Sequence, residues 1–279
     1  MRLGVIGVRS KHLRFFQRAL DQEFPAGQHR ITHICGYDAP QLLAGLSDFV
    51  CCASAEELID SVDAVVVALR EGSQHAALAA MCMERGKPVF VDKPFACSPQ
   101  DARDILRSAE QTGVPCTGGS TFCYLPQVRR LADALPPAGE YTLSYHADPY
   151  TPFGGWYFYG SHLTDLCTFL FGGNWRSVSA HINGGRVEAL VSYPQCTVRL
   201  CSSIAPQPLL LRAGRDAYEL DETGCYRAGM AHFVAVAQQK EPGQTSRLLD
   251  SVLLMDGIMN SLRQGAPQYP EAPGWAIDS

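Results

Sequence analysis

Residues 64–94 read AVVVALREGSQHAALAAMCMERGKPVFVDKP, and this stretch decides the fold. Ala64–Leu69 is apolar at every position. A half-buried strand alternates, so an unbroken apolar run suits a strand covered on both faces. Gln74–Arg85 then sets Ala77, Leu78, Met81 and Cys82 at helical spacing. Gly86 stops that helix, and Pro88–Val91 begins another strand. Strand, helix and strand in about thirty residues make a parallel βαβ unit.

The same rhythm runs outward in both directions. Leu3–Val8 is a strand, followed by a helical pattern through Leu13, Phe16 and Leu20. Arg30–Tyr37 is a second strand, and Leu42–Phe49 and Ala55–Ile59 are short helical pieces. Ser54 and Glu57 form a capping box for the latter. Pro99–Gln111 is a helix ended by Gly113, and Val114–Thr117 is a further strand. Such alternation predicts an α/β chain whose residues 1–120 form a Rossmann domain, a parallel sheet with helices on both faces. Ligands of such sheets bind beyond the carboxyl ends of the strands. Gly7, Arg9, Asp38, Arg70, Asp92 and Lys93 fall there.

The loop Gly7-Val8-Arg9-Ser10 holds one glycine of a dinucleotide fingerprint, with Arg9 and His12 at the other two glycine positions. Gly7 allows the tight turn, and the Arg9 cation suits a phosphate. Asp38, 31 residues after Gly7, is the first acid beyond the second strand. A carboxylate there suits a ribose diol and repels a 2′-phosphate, so NAD is expected, with NADP left open by Arg9 and Arg70. The alternative for Asp38 is a turn acid in Asp38-Ala39-Pro40.

The chain resembles the Gfo/Idh/MocA oxidoreductases over nearly its whole length. Asp63–Ala68, His75 and Gly86–Pro94 follow that family's order, with Asp92-Lys93-Pro94 in place of its Glu-Lys-Pro. Gly118, Gly119 and Pro126 resemble its interdomain segment, Gly160–Asp165 its Gly-x-His-x-x-Asp motif and Asp256–Gly265 its terminal helix. The resemblance implies catalytic roles for Lys93 and His162, an NAD(P) cofactor and a hydroxylated substrate, a sugar or cyclitol. It places His75 and Asp92 with the cofactor, and Tyr159 and Asp165 with the substrate. It also implies a second α/β domain over residues 121–279, built on an open, mainly antiparallel sheet that binds substrate and mediates homo-oligomerisation. The terminal helix is expected to pack back on the first domain. Phe158 stands where many active members carry an Asp.

The residues of the second half agree. A helix over 128–135 precedes a strand at Tyr141–His146 and a helix at Trp156–Phe171. Strands follow at 178–182, 186–193, 196–204, 209–213 and 216–220, joined by tight turns that imply antiparallel pairing. Helices over 227–240 and 245–263 end the chain. Asp165, one helical turn beyond His162, either orients the imidazole or caps the helix. His146, Asp148, Tyr150, Trp156, Tyr157 and Tyr159 either stack on a sugar ring or form a wet-edged aromatic core. The strands LLLRAG and ALVSY either cover a dimer face or pack in the core.

Composition narrows the function. A net charge of -5 without a Lys/Arg tract disfavours nucleic acid. No run of 18 apolar residues suggests a membrane span, and MRLGVIGVRS lacks the profile of a secretory signal, so a cytoplasmic location is expected. Eleven cysteines without a Cys-x-x-Cys pair read as buried thiols, with structural zinc as the minority alternative and no metal site assigned. The expectation is thus an NAD(P)-dependent dehydrogenase. The alternative is a catalytically weakened dinucleotide-binding sensor or scaffold.

Overall fold

The computed structural model describes residues 1–9, 11–37, 41 and 48–270. A first sheet runs in the order β3 (Val50–Cys52), β2 (Arg30–Cys35), β1 (Arg2–Ile6), β4 (Ala64–Val67), β5 (Val89–Asp92) and β6 (Cys116–Gly119), all neighbours parallel. Leu3, Val5, Ile6 and the whole of β4 have no exposed surface, as their apolar runs require. Helices α1 (His12–Glu23), α2 (Ala55–Ser61), α3 (His75–Glu84) and α4 (Pro99–Thr112) provide the crossovers. The strand order reverses between β1 and β4, which opens a crevice at their carboxyl ends.

Local signals set these boundaries. The Ser54 hydroxyl accepts from the Glu57 amide at 3.2 Å, and Glu57 returns a bond to the amide of Ala53 at 2.7 Å. Ser98 caps α4 in the same way, with Pro99 in its first turn and Gly113 left-handed at its end. The edge strand β3 departs from expectation. Three residues are too few to show a period, so nothing in the sequence marked Val50–Cys52 as a strand. The helix expected over 42–49 lies mostly outside the described residues, and Asp48 and Phe49 form a turn and bend.

The second sheet runs β12 (Asp216–Leu220), β11 (Leu209–Ala213), β7 (Gly139–His146), β10 (Cys196–Ser203), β9 (Arg186–Ser192) and β8 (Ser177–Asn183). The tight turns make the expected antiparallel hairpins, but β7 and β10 pair in parallel, so the sheet is mixed. The cause is α6 (Trp156–Phe171), a crossover helix that separates β7 from β8 and lets β7 insert between β10 and β11. Ala189, Val191, Leu209 and Leu211 point into the core of this half, while Leu190 and Leu210 are half-buried on the other face.

The remaining helices are α5 (Pro126–Ala134), α7 (Cys225–Ala237) and α8 (Thr245–Gln264). The last two return to the first sheet. Met230, Phe233 and Val234 of α7 pack with Phe16, Ile34 and Phe90 on one face. Leu248, Leu249 and Val252 of α8 join Val65, Val67 and Val91 on the other. The sequence pointed to the terminal helix in this role but not to α7. Seven of the eleven cysteines are buried, and all are free thiols. No helix among the described residues is long and apolar enough to cross a membrane.

Phe233 tests this interlocking. Its ring is wholly buried, 5.7 Å from that of Phe90. Phe233→Ala should cost about 3–5 kcal/mol, read from guanidinium unfolding. If the two sheets instead unfold separately, the variant will split one transition into two, the later one unchanged.

Candidate active site

The crevice begins at Gly7. Its φ is +101°, and a Cβ there would lie 2.9 Å from the backbone of Ala68, so a side chain would force β1 and β4 apart. Its amide donates to the Cys35 carbonyl at 3.0 Å, which holds the turn. Val8 is buried, while Arg9 and Lys11 are exposed. The first turn of α1 has no acidic residue and no side-chain cap. A first turn without an acid suits an anion such as a pyrophosphate at this end of α1. These features fit a dinucleotide. Ser10 and Asp38 lie outside the described residues.

His12, at the third glycine position, is committed elsewhere. Its Nδ1 lies 2.5 Å from Oδ2 of Asp92, and its ring meets Phe16 and Tyr226 edge-on. Burial works against the Asp92 charge, but His12 and Lys93 outweigh it and hold the carboxyl below the usual carboxylate range. His75 is fully buried with Nε2 3.1 Å from the Leu69 carbonyl, so it braces the loop after β4 and does not line the crevice.

Lys93 follows β5 and is 3% exposed. Its Nζ lies 3.3 Å from the centre of the Phe158 ring and 5.4 Å from that of Tyr159. Burial pushes the ammonium pKa down to about 8; Asp92 opposes that shift and Arg70 adds to it. Arg70, after β4, lies with its guanidinium 4.0 Å over the ring of Phe153.

His162 comes from α6. Its Nδ1 is 2.7 Å from Oγ of Ser120, and its ring stacks on Phe122 at 4.5 Å. Burial, followed by the nearby Lys93 charge, holds its pKa well below the ordinary 6.5. The imidazole is therefore neutral at pH 7, with Nε2 left for a ligand. Asp165 neither touches His162 nor caps α6. Its carboxylate accepts from the amide of Ser120 at 2.5 Å and from the hydroxyl of Ser251. It orients His162 only through Ser120, and it lies behind the cavity wall.

Lys93, His162, Tyr159, Arg70 and Asp92 share a cavity of about 550 Å3 between the two sheets. Glu222, in the turn before α7, lines its far side and accepts from the Tyr145 hydroxyl at 3.1 Å. Burial raises the Glu222 pKa. A larger hollow of about 670 Å3 beside Asp250 and Asp256 contains neither a lysine nor a histidine. Ser120, Phe153, Glu222 and the His12–Asp92 contact escaped sequence reasoning. Each joins residues remote in the chain, a pairing that no short motif records.

An α/β chain with this crevice at the carboxyl ends of a parallel sheet has the layout of a dinucleotide-binding fold. Residues 1–120 match the model of the Gfo/Idh/MocA oxidoreductase family, NAD-binding Rossmann fold. Residues 1–120 thus correspond to that family's NAD-binding domain, which binds a nicotinamide dinucleotide. It is similar to a 4-carboxy-2-hydroxymuconate-6-semialdehyde dehydrogenase of Sphingobium sp., 37% identical over 29% of this chain and 25% of that protein. An uncharacterised protein of Saccharomyces cerevisiae is 22% identical over 80% of this chain and 61% of its own length. The chain thus spans less than two thirds of either curated relative.

The fold as a whole is shared with solved structures. An oxidoreductase from Agrobacterium radiobacter, in complex with NAD+, L-tartaric acid and magnesium, superposes with a TM-score of 0.75 at 15% identity, covering 96% of this chain and 98% of the other. A 3-ketoreductase from Actinomadura kijaniata, in complex with TDP-benzene and NADP, gives 0.75 at 18%, covering 94% and 98%.

Neutral burial of His75 and His162 has a consequence for stability. Both folded pKa values lie below 6.5, so the unfolded chain binds more protons as the pH falls through 6.5. Stability should decline below about pH 6.5, by up to ~1.4 kcal/mol per pH unit for each such histidine. Urea unfolding from pH 8 to 5 measures this. The decline should be shallower in His162→Gln, and an unchanged slope would place a charged imidazole in the folded protein.

Proposed function

We propose that this chain is an NAD(P)-dependent dehydrogenase acting on a hydroxylated small molecule of the sugar or cyclitol type. The observation that carries it is the meeting of Lys93 and His162 in one cavity at the carboxyl edge of the first sheet. Residues 1–120 bind the dinucleotide, with Gly7, Val8, Arg9, Ser10 and Asp38 around it. Residues 121–279 supply the substrate walls, including Tyr159, and the surface for self-association. Asp92 lines the cavity beside Lys93, and His75 and Asp165 support the site from behind.

The bound nicotinamide supplies or accepts the hydride. The chain's own residues manage the proton. Lys93 has a pKa near working pH, about 8, so its ammonium gives a proton to a carbonyl oxygen and its free amine takes one from a carbinol. His162 stays neutral and holds the same oxygen through Nε2. A charged imidazole would face the Lys93 ammonium, so the two groups share one proton rather than carry two. Aromatic side chains around them exclude water and suit the apolar face of a ring.

Names among the similar proteins support this class. They include the 3-ketoreductase and a Sinorhizobium meliloti protein described as a candidate myo-inositol dehydrogenase. A sensor or scaffold is the second reading, favoured by the Phe158 ring over Lys93 and by His12 at the third glycine position. It predicts NADH binding without turnover on any polyol.

Lys93→Met should leave folding and NADH binding intact and lower kcat and kcat/KM together by roughly 100-fold or more. Lys93→Arg should restore little, because guanidinium does not release its proton. Carbonyl reduction by the unaltered protein should fall as pH rises through about 8. Full activity of Lys93→Met removes Lys93 from the chemistry.

Cofactor choice turns on Asp38. Parallel fluorescence titrations with NADH and NADPH should show tighter binding of NADH. Tighter NADPH binding reverses the assignment and points to Arg9 beside the 2′-phosphate.

A further inference from the structure

Arg70 and Lys93 stand together in the cavity, and Lys93 feels an opposing charge, that of Asp92. Among the described residues, neither the guanidinium of Arg70 nor Nζ of Lys93 has a carboxylate hydrogen-bonded to it. Each faces an aromatic ring instead, Phe153 for Arg70 and Phe158 for Lys93, and those two rings are 5.5 Å apart. The two acids on the cavity wall are engaged elsewhere. Asp92 directs Oδ2 to His12, and Glu222 accepts from Tyr145. Lys11 adds a third cation at the rim. An oxidised nicotinamide would add yet another positive charge.

We propose that the substrate supplies the missing anion: it is a polyhydroxy acid whose carboxylate is gripped by Arg70 while its carbinol faces Lys93 and His162. This rests on the dehydrogenase reading and narrows its substrate class. The guanidinium carbon lies 4.0 Å from the centre of the Phe153 ring, and among the described residues no carboxylate is hydrogen-bonded to its N–H groups. A guanidinium edge presents paired N–H donors that match two carboxylate oxygens. Phosphates of the cofactor are the other source of such an anion, but the acid-free first turn of α1 and the exposed Arg9 before it suit them. Arg70 lies against Phe153, in the segment leading into α6, on the substrate side of the crevice.

The test compares neutral and acidic members of one sugar series with the full chain: glucose and sorbitol against gluconate and glucuronate. Binding to the protein–NADH complex is read by thermal shift, and turnover by NADH absorbance. The acids should bind and turn over at least about ten-fold better than the neutral compounds. Arg70→Gln should erase that preference through KM, with NADH affinity changed by less than roughly 3-fold. Arg70→Lys, which keeps the charge but not the fork, should recover only part of it. Equal or better binding of neutral sugars overturns the proposal. So does an Arg70→Gln variant that loses about ten-fold in NADH affinity while keeping its acid preference, since Arg70 then serves a cofactor phosphate. Arg70-dependent acid binding without any turnover keeps the anion subsite and removes the dehydrogenase reading instead.

Discussion

A buried carboxylate holds the candidate site together. Asp165 accepts the amide of Ser120, and the Ser120 hydroxyl meets Nδ1 of His162. Ser120 directly follows β6, so this contact fixes α6 against the end of the first sheet. Burial raises the Asp165 pKa, and only its hydrogen bonds and the neighbouring Arg247 make the position tolerable for a charge. The approach is close enough to demand glycine. A Cβ at Gly119, whose φ is +76°, would lie 2.6 Å from the carboxylate. The cost of the buried acid is repaid in geometry: His162 and Lys93, from opposite halves of the chain, face one another across a single cavity.

The rest of the architecture protects that meeting. Helices α7 and α8 leave the second sheet and cover opposite faces of the first. Neither half can slide without exposing apolar surface at roughly 25 cal/mol per Å2. The same helices deliver functional parts. Tyr226, at the start of α7, packs on His12, and Ser251 of α8 donates to Asp165. Core packing and site geometry are therefore the same set of contacts, seen from two sides of α6 and α7.

What the sequence made legible follows from the range of each interaction. Runs such as Ala64–Leu69 and the Ser54–Glu57 capping box are decided within a few residues, and their elements stand where expected. The motifs also placed Lys93 and His162 on the cleft, since each follows from its position on a strand end or helix. The parallel pairing of β7 with β10 was hidden because it depends on where a crossover helix returns, which no local period records. The inner wall was hidden for the same reason. His12 and Asp92 are 80 residues apart, and Tyr145 and Glu222 are 77 apart. His12 read as a glycine lost from a fingerprint, whereas its ring is the hydrogen-bond partner of Asp92. Asp165 was visible as an acid one turn from His162, yet it acts through a serine 45 residues away.

The charges of the cavity then explain one another. Pairing Asp92 with His12 weakens its claim on Lys93, and the aromatic ring of Phe158 gives the ammonium a weaker partner than a carboxylate would. Burial is what brings the Lys93 pKa down to about 8, and Asp92 opposes that shift without reversing it. Burial keeps His162 neutral, and the Lys93 charge adds to the effect. A neutral imidazole beside a lysine poised to gain or lose its proton is an arrangement that works in either direction of a carbonyl–carbinol exchange. An anion entering beside Arg70 would shift that balance toward the ammonium, since a nearby negative charge favours the protonated lysine. Substrate binding and proton loading would then be one event, with the acid that docks the substrate also charging the group that protonates it.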